Sequence, residues 1–194
     1  MKLIVGLGNH SKKYDGTRHN IGWDAVTMLA KLLNASDFSK KTSFKSEVAE
    51  ASVNDEKVLV VHPLTYMNAS GEAVQAFKSY FKLKNEDILI VHDEMDYPPG
   101  KFAFSIGSGP AGHNGVASIQ QMLATKEIAR LRIGIGRPTT QIAKEDYVLE
   151  HFLDYERKLI KPVLQDSCEA MRDWLDQGLT KTMNTWNGVE SASR

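Results

Sequence analysis

The chain opens on a short apolar run, Lys2 to Leu7, rich in β-branched residues and stopped by Gly8; it predicts a buried strand of the kind found in parallel or mixed sheets. Residues 8–19 (GNHSKKYDGTRH) are polar and carry turn formers, so they read as a loop. From Asn20, placed as an N-cap, Ala25, Val26, Leu29, Ala30, Leu32 and Leu33 recur at helical spacing. A polar stretch, 34–43, precedes two strands, 44–53 and 57–62, joined by the turn Asn54-Asp55. That connection is too short for a parallel pair, so it predicts an antiparallel hairpin at one side of the sheet. Residues 63–71 read as a loop, and Ala73, Val74, Phe77, Tyr80 and Phe81 as one face of a helix. Asp87 to Val91 is a further buried strand, closed by the break Asp96-Tyr97-Pro98-Pro99-Gly100. A strand at 102–106, a glycine-rich loop at 107–112, a helix at 114–125 and a strand at 129–135 follow. From Asp154 the pattern is helical, with Pro162 expected to mark the first turn or to kink the helix. Strands alternating with helices predict an α/β fold: a single domain over 1–187, a mixed sheet flanked by helices, and a frayed tail at 188–194.

Composition narrows the partners. With 24 Lys plus Arg against 24 Asp plus Glu, a globally basic nucleic-acid binder is excluded, while a local basic face is not. The lone Cys168 excludes an internal disulfide and any zinc site built from several cysteines, and is expected in a helix core. No apolar run approaches the ~18 residues needed to span a membrane, and the N-terminus lacks signal-peptide anatomy, so a cytoplasmic protein is expected.

In open α/β sheets ligands sit beyond the carboxyl ends of the strands. Those ends carry Asn9 with His19 and Asn20 across the first loop, then Tyr66, Met67 and Asn68, then His92, Asp93 and Glu94; His113 and Asn114 follow the glycine-rich loop. One crevice collecting His, Asp and several Asn suits hydrolysis by activated water, with imidazole as base, carboxylate to orient it, and amides to hold a carbonyl and its oxyanion. Taken singly, each residue is more often turn chemistry, a cap or a packing residue; convergence is what carries the reading. Gly107 to Gly112 matches G-x-G-x-x-G, but it sits mid-chain, Pro110 stiffens it, and Arg130 and Arg132 stand on the next strand where an acidic residue is needed, so dinucleotide binding is set aside. A metal site from His19, His62, His92, Asp93 and His113 is set aside because no H-x-x-x-H or H-x-H pair supports it. No cofactor is expected.

KLIVGLGN with Tyr14, Thr17-Arg18-His19-Asn20 and Gly22 resembles the N-terminal signature of bacterial peptidyl-tRNA hydrolases. So do Pro63-x-Thr65-Tyr66-Met67-Asn68-x-Ser70-Gly71, His92-Asp93-Glu94-x-Asp96-x-Pro98-Pro99-Gly100, Gly112-His113-Asn114-Gly115, and Arg130 through Pro138, in the family's order from residue 2 to about 187. Where the family has Pro-Gly after the first Asn, this chain has His10-Ser11, and Ser105 stands where a lysine is common. The resemblance implies a monomeric α/β enzyme with a twisted mixed sheet that hydrolyses the ester between a peptide and the 3′-terminal ribose of tRNA, without metal or cofactor. It implies His19 as catalytic base, Asp93 as its partner, and Asn9, Asn68 and Asn114 on the peptide main chain, the carbonyl and the water, with Tyr14, Tyr66, Met67 and His113 as further substrate-binding residues. The tRNA acceptor end and phosphates would meet Lys12, Lys13, Arg18, Arg130, Arg132 and Arg137, extended by Lys40, Lys41 and Lys45. A non-catalytic RNA- or nucleotide-binding module on the same scaffold is the alternative.

Overall fold

A computed structural model describes residues 1–189. One seven-stranded sheet runs through it in the order β2-β3-β4-β1-β5-β7-β6. The strands are β1 (Lys2–Gly6), β2 (Ser39–Lys41), β3 (Ser46–Val53), β4 (Glu56–Pro63), β5 (Ile88–Glu94), β6 (Phe102–Ser105) and β7 (Ala129–Gly134). The central four, β4, β1, β5 and β7, are parallel. Both flanks are antiparallel: β2 and β3 beside β4, and β6 beside β7. The hairpin side was legible from the Asn54-Asp55 turn, where both residues have positive φ (50° and 61°) as a tight two-residue turn between twisted strands requires. The second antiparallel edge carries no such local signal.

The helices are α1 (Ile21–Leu32), α2 (Ser70–Phe81), α3 (Asn114–Leu123), a single turn α4 (Lys144–Tyr147), α5 (Asp154–Gln177) and α6 (Leu179–Trp186). Strand alternation divides the core into two layers. Ile4, Val60, Leu89, Val91, Leu131 and Ile133 point toward α1, α5 and α6, where they meet Leu29, Met171 and Trp174. Leu3, Val5, Leu59, Val61, Ile88 and Ile90 point the other way, onto Val74 and Phe77 of α2 and Val116 and Ile119 of α3. Cys168 is buried in the first layer, where burial pushes its thiol up to about 12, so it acts as a small apolar residue.

One expectation needs correction. β5 continues past Val91 through Glu94, because His92, Asp93 and Glu94 are buried and stay laddered to β7, with Asp93 opposite Ile133. These polar residues are therefore fixed by the sheet and not by a loop. Of the two places expected for Pro162, the first turn is excluded: it lies inside α5 and leaves the carbonyl of the exposed Lys158 without its helical donor. The tail assigned to 188–194 lies outside the described residues from 190 onward.

The start of α1 presses directly on the strand ends. A Cβ at Gly22 would sit 2.4 Å from the Val91 carbonyl oxygen and 2.7 Å from that of Leu7. Only a glycine lets the turn that precedes α1, Arg18–Asn20, lie over the carboxyl ends of β1 and β5.

Candidate active site

Asp93 shares its face of β5 with Leu89 and Val91, which places its carboxylate toward the turn that carries His19. His19 Nδ1 lies 2.8 Å from Asp93 Oδ1, and the Nε2 of His113 lies 2.9 Å from the same oxygen. The tautomer of His113 is fixed by its other nitrogen. His113 is the N-cap of α3, and its Nδ1 accepts from the backbone N–H groups of Gly115 (3.1 Å) and Val116 (3.3 Å). A nitrogen that accepts carries no proton, so Nε2–H donates to Asp93. The cap of α3 is thus His113, and Asn114 stands exposed at the first helical position.

Asp93 thus receives two imidazole N–H groups. Burial alone would raise its pKa, but the two rings hold it well below the usual carboxylate range. For His19, burial pulls the pKa down, and the Asp93 charge and hydrogen bond outweigh it, leaving the imidazole above its ordinary value. With Nδ1–H given to Asp93, Nε2 of His19 keeps the lone pair.

Asn9 is positioned with equal economy. Its backbone N–H donates to Asn20 Oδ1 (2.9 Å), and Asn20 Nδ2 donates back to the Asn9 carbonyl (3.0 Å). Asn20 sits at the N-cap position of α1 without capping it, because its amide is used on Asn9. Asn9 Oδ1 accepts from the Met67 N–H at 3.2 Å, which fixes the amide orientation and leaves its NH₂ group as the free donor.

His19, Asn114, Glu145 and Val148 line both halves of a two-lobed cleft. One lobe, about 440 Å³, adds Asn9, Tyr66, Met67, Asn68 and Leu149. The other, about 250 Å³, adds Asp93, Glu94, Met95, the loop from Pro110 to His113, and Lys144. The expected catalytic residues, and the expected substrate-binding residues save Tyr14, therefore line this cleft, whereas Asn20 and His92 line neither lobe; Tyr14 instead closes the turn by accepting from Thr17 Oγ1 through its carbonyl (2.7 Å).

The expected phosphate-contacting arginines are mostly engaged inside the protein. Arg18 is 2 % exposed: its Nη2 lies 2.7 Å from Glu156 Oε2, and its guanidinium packs 4.3 Å from the Tyr147 ring centre. It anchors the His19 turn to α5. Arg130, 3 % exposed, donates to the Ser108 and Gly109 carbonyls (3.0 and 3.2 Å) and so holds the glycine-rich loop. Arg132 pairs with Glu94 (2.8 Å) and lies over the Tyr97 ring. Alternation along β7 turns both arginines away from Leu131 and Ile133 and toward these partners. Arg137 is exposed but paired with Asp96. Lys12 and Lys13 are exposed on the first loop, Lys13 over the Tyr14 ring (4.7 Å), and Lys144, which sequence reading missed, stands at the cleft rim. Glu156 and Lys144 gave no local signal: Glu156 meets Arg18 across 138 residues.

Metal ligation has one candidate group among the described residues, His19, Asp93 and His113, whose donor atoms lie within 4.8 Å of one another. The nitrogens facing Asp93 are N–H donors in that arrangement, so an ion would have to displace both protons. His62 lies elsewhere, stacked between Trp23 and Phe38 at 4.7 and 4.1 Å. His92 is buried against the His113 ring, and burial first, then His113, pushes its pKa well down.

A family model described as peptidyl-tRNA hydrolase matches residues 3–194. The peptidyl-tRNA hydrolase of Shouchella clausii is 39% identical over 187 residues, 96% of this chain and the whole of that protein. That of Bacillus cereus is 41% identical over the same span. The crystal structure of peptidyl-tRNA hydrolase from Acinetobacter baumannii superposes with a TM-score of 0.92 at 31% identity, covering 98% of this chain and 96% of that one.

Proposed function

Because the chain belongs to the peptidyl-tRNA hydrolase family and hydrolyses peptidyl-tRNA, we propose that it does so with His19 as general base and Asp93 as the group that orients and charges it. The observation that carries this reading is the His19–Asp93 pair at 2.8 Å, buried at the junction of the two lobes. Nε2 of His19 takes a proton from water as the water attacks the ester carbonyl. Asp93 holds the tautomer and stabilises the imidazolium that forms. The NH₂ group of Asn9, fixed by Met67, is aimed for the developing oxyanion or for a peptide carbonyl, with Asn68 and Asn114 as the remaining amides. An ester needs no covalent nucleophile, since its alkoxide leaves more readily than an amine.

The amide-bearing lobe takes the peptide and the lobe with Lys144 takes the 3′-terminal nucleotide, so that the scissile ester lies over His19. Neutral amides pair with peptide N–H and C=O groups without reading side chains. A free α-ammonium placed among them loses hydration without gaining a carboxylate partner. N-acetyl-aminoacyl-tRNA is therefore expected to be cleaved much faster than aminoacyl-tRNA; equal rates would mean that the lobe does not read the peptide bond. On the tRNA side the cations proposed for phosphate are Lys12, Lys13, Lys144 and Arg137, acting on the acceptor end. A monomer acting in the cytoplasm completes the proposal; among the described residues no helix is long and apolar enough to cross a membrane. The binding-only alternative is disfavoured because holding RNA requires no buried carboxylate–imidazole pair.

A further inference from the structure

Of the four residues that line both lobes of the cleft, Glu145 has no part in the reaction described above. It sits on the single turn α4, three residues before Val148, so the two share a face. Val148 is tied directly to the catalytic turn, since the His19 N–H donates to its carbonyl at 2.8 Å. Glu145 therefore stands beside His19 where the two lobes meet. The turn beneath it is held from behind: Tyr147 O–H donates to the Ile135 carbonyl (2.8 Å), and the Arg18 guanidinium lies over the Tyr147 ring. Glu145 itself is exposed, and its side chain makes no ion pair or hydrogen bond among the described residues. The other two carboxylates lining the lobe with Lys144 are committed, Asp93 to two imidazoles and Glu94 to Arg132 (2.8 Å).

A carboxylate only accepts hydrogen bonds, and one left bare beside the ester repels the oxyanion that develops there. A substrate that fits this cleft therefore brings a donor to Glu145. The ester carbonyl and its bridging oxygen are acceptors. Two donors lie close to the ester: the N–H of the esterified residue and the 2′-hydroxyl of the terminal ribose, on the carbon next to the esterified one. The N–H enters the lobe of Asn9 and Asn68, whose amide oxygens accept it, whereas the ribose enters the lobe where Glu145 is the one uncommitted carboxylate. We propose that Glu145 accepts the 2′-hydroxyl of the terminal ribose and so makes the enzyme specific for an RNA end. The proposal rests on the assignment of the Lys144 lobe to the 3′-terminal nucleotide. The 2′-hydroxyl is the group that distinguishes RNA from DNA at a given site. Held from the 2′ side, the ribose presents its neighbouring ester to His19 in one orientation. Engaged in this way, Glu145 is not left to receive a free α-ammonium.

The test is a cycle of kcat/KM on N-acetyl-aminoacyl-tRNA whose terminal ribose carries either a 2′-hydroxyl or a 2′-fluorine. Fluorine keeps the electron withdrawal on the leaving oxygen and removes the donor. The hydroxyl-to-fluorine ratio should fall about 10-fold from wild type to Glu145→Ala, the range of a hydrogen bond to a charged group. It should fall less in Glu145→Gln, whose amide oxygen still accepts. Loss of the Glu145 charge eases the approach of phosphate for both ends alike, and the ratio cancels that effect. A ratio equal in wild type and both variants overturns the contact. Should Glu145→Ala melt early, the isosteric Glu145→Gln decides by the same ratio. A substrate with α-acetoxy in place of α-acetamido tests the other donor: if the acetamido-to-acetoxy ratio collapses in Glu145→Ala instead, Glu145 receives the N–H and the proposal fails. A photoreactive terminal base separates this failure from that of the lobe assignment. Crosslinks at 110–114 or 144–149 keep the nucleotide in the Lys144 lobe, whereas crosslinks at 9 or 66–68 overturn the assignment and the proposal with it.

Discussion

At the scale of single residues, the site is a set of orientations fixed by second partners. His113 can only donate to Asp93 because its other nitrogen caps α3. Asn9 can only present its NH₂ because Met67 occupies its oxygen. His19, Asp93 and Asn9 were legible in the sequence because strand ends and family motifs mark them. Glu156 was not, since a buried ion pair across 138 residues leaves no local pattern; Asn20 was marked as a helix cap and strand-end residue, but its reciprocal amide brace to Asn9 was not legible. Arg18 illustrates the cost of reading charge as exposure: a basic residue in a polar loop was expected on phosphate and is instead the most buried cation of the turn it holds. Replacing His19 by Asn should lower kcat by roughly 10²–10⁴-fold with a smaller change in KM. Turnover close to wild type in a folded His19→Asn protein would remove His19 from the mechanism.

At the scale of elements, the His19 turn is held on three sides. The N–H groups of Arg18 and His19 donate to the carbonyls of Glu150 (3.0 Å) and Val148 (2.8 Å), Gly22 lets α1 close on the strand ends, and Arg18 reaches Glu156 on α5. Glu156→Gln keeps the shape but leaves the buried guanidinium with one charged partner, the more distant and exposed Glu150 at 3.6 Å. Breaking one partner of a buried pair costs about 3–5 kcal/mol, or roughly 10 °C in Tm for a chain of this size. Calorimetry should record that loss, together with a fall in kcat as the turn loosens; an unchanged Tm would show that Arg18 is held by packing alone. The end of β5 was misjudged for a related reason. A polar residue ordinarily signals a strand's exit to solvent, but here the sheet continues because Asp93 and Glu94 find partners on neighbouring elements, His19 and Arg132.

At the scale of the whole molecule, two pH- and salt-dependent properties follow. His62, stacked between Trp23 and Phe38, is lowered to about 4 chiefly by burial. Its unfolded value is 6.5, so the unfolded chain binds more protons between these limits. Stability is full above pH 6.5 and is lost as pH falls toward 4. Urea unfolding should show wild type losing about 2 kcal/mol more than His62→Gln between pH 7 and pH 5; equal losses would exclude His62 as a source of acid sensitivity. Arg18 and Arg130 are buried on internal partners, so the proposal places four cations, Lys12, Lys13, Lys144 and Arg137, on phosphate. Log KM for peptidyl-tRNA should therefore rise with log salt at a shallow slope, about 2–4. A much steeper slope would require cations beyond Lys12, Lys13, Lys144 and Arg137. The central claim, that a carboxylate-charged imidazole activates water, is tested most directly by the pH profile of kcat/KM on N-acetyl-aminoacyl-tRNA for wild type and Asp93→Asn. The charge of Asp93 raises the His19 pKa against the burial that lowers it, so the acid limb of wild type should lie above pH 6.5. In Asp93→Asn burial acts unopposed, and the limb should move below pH 6.5 while the plateau rate falls. An acid limb that stays in place when the charge is removed would contradict the account.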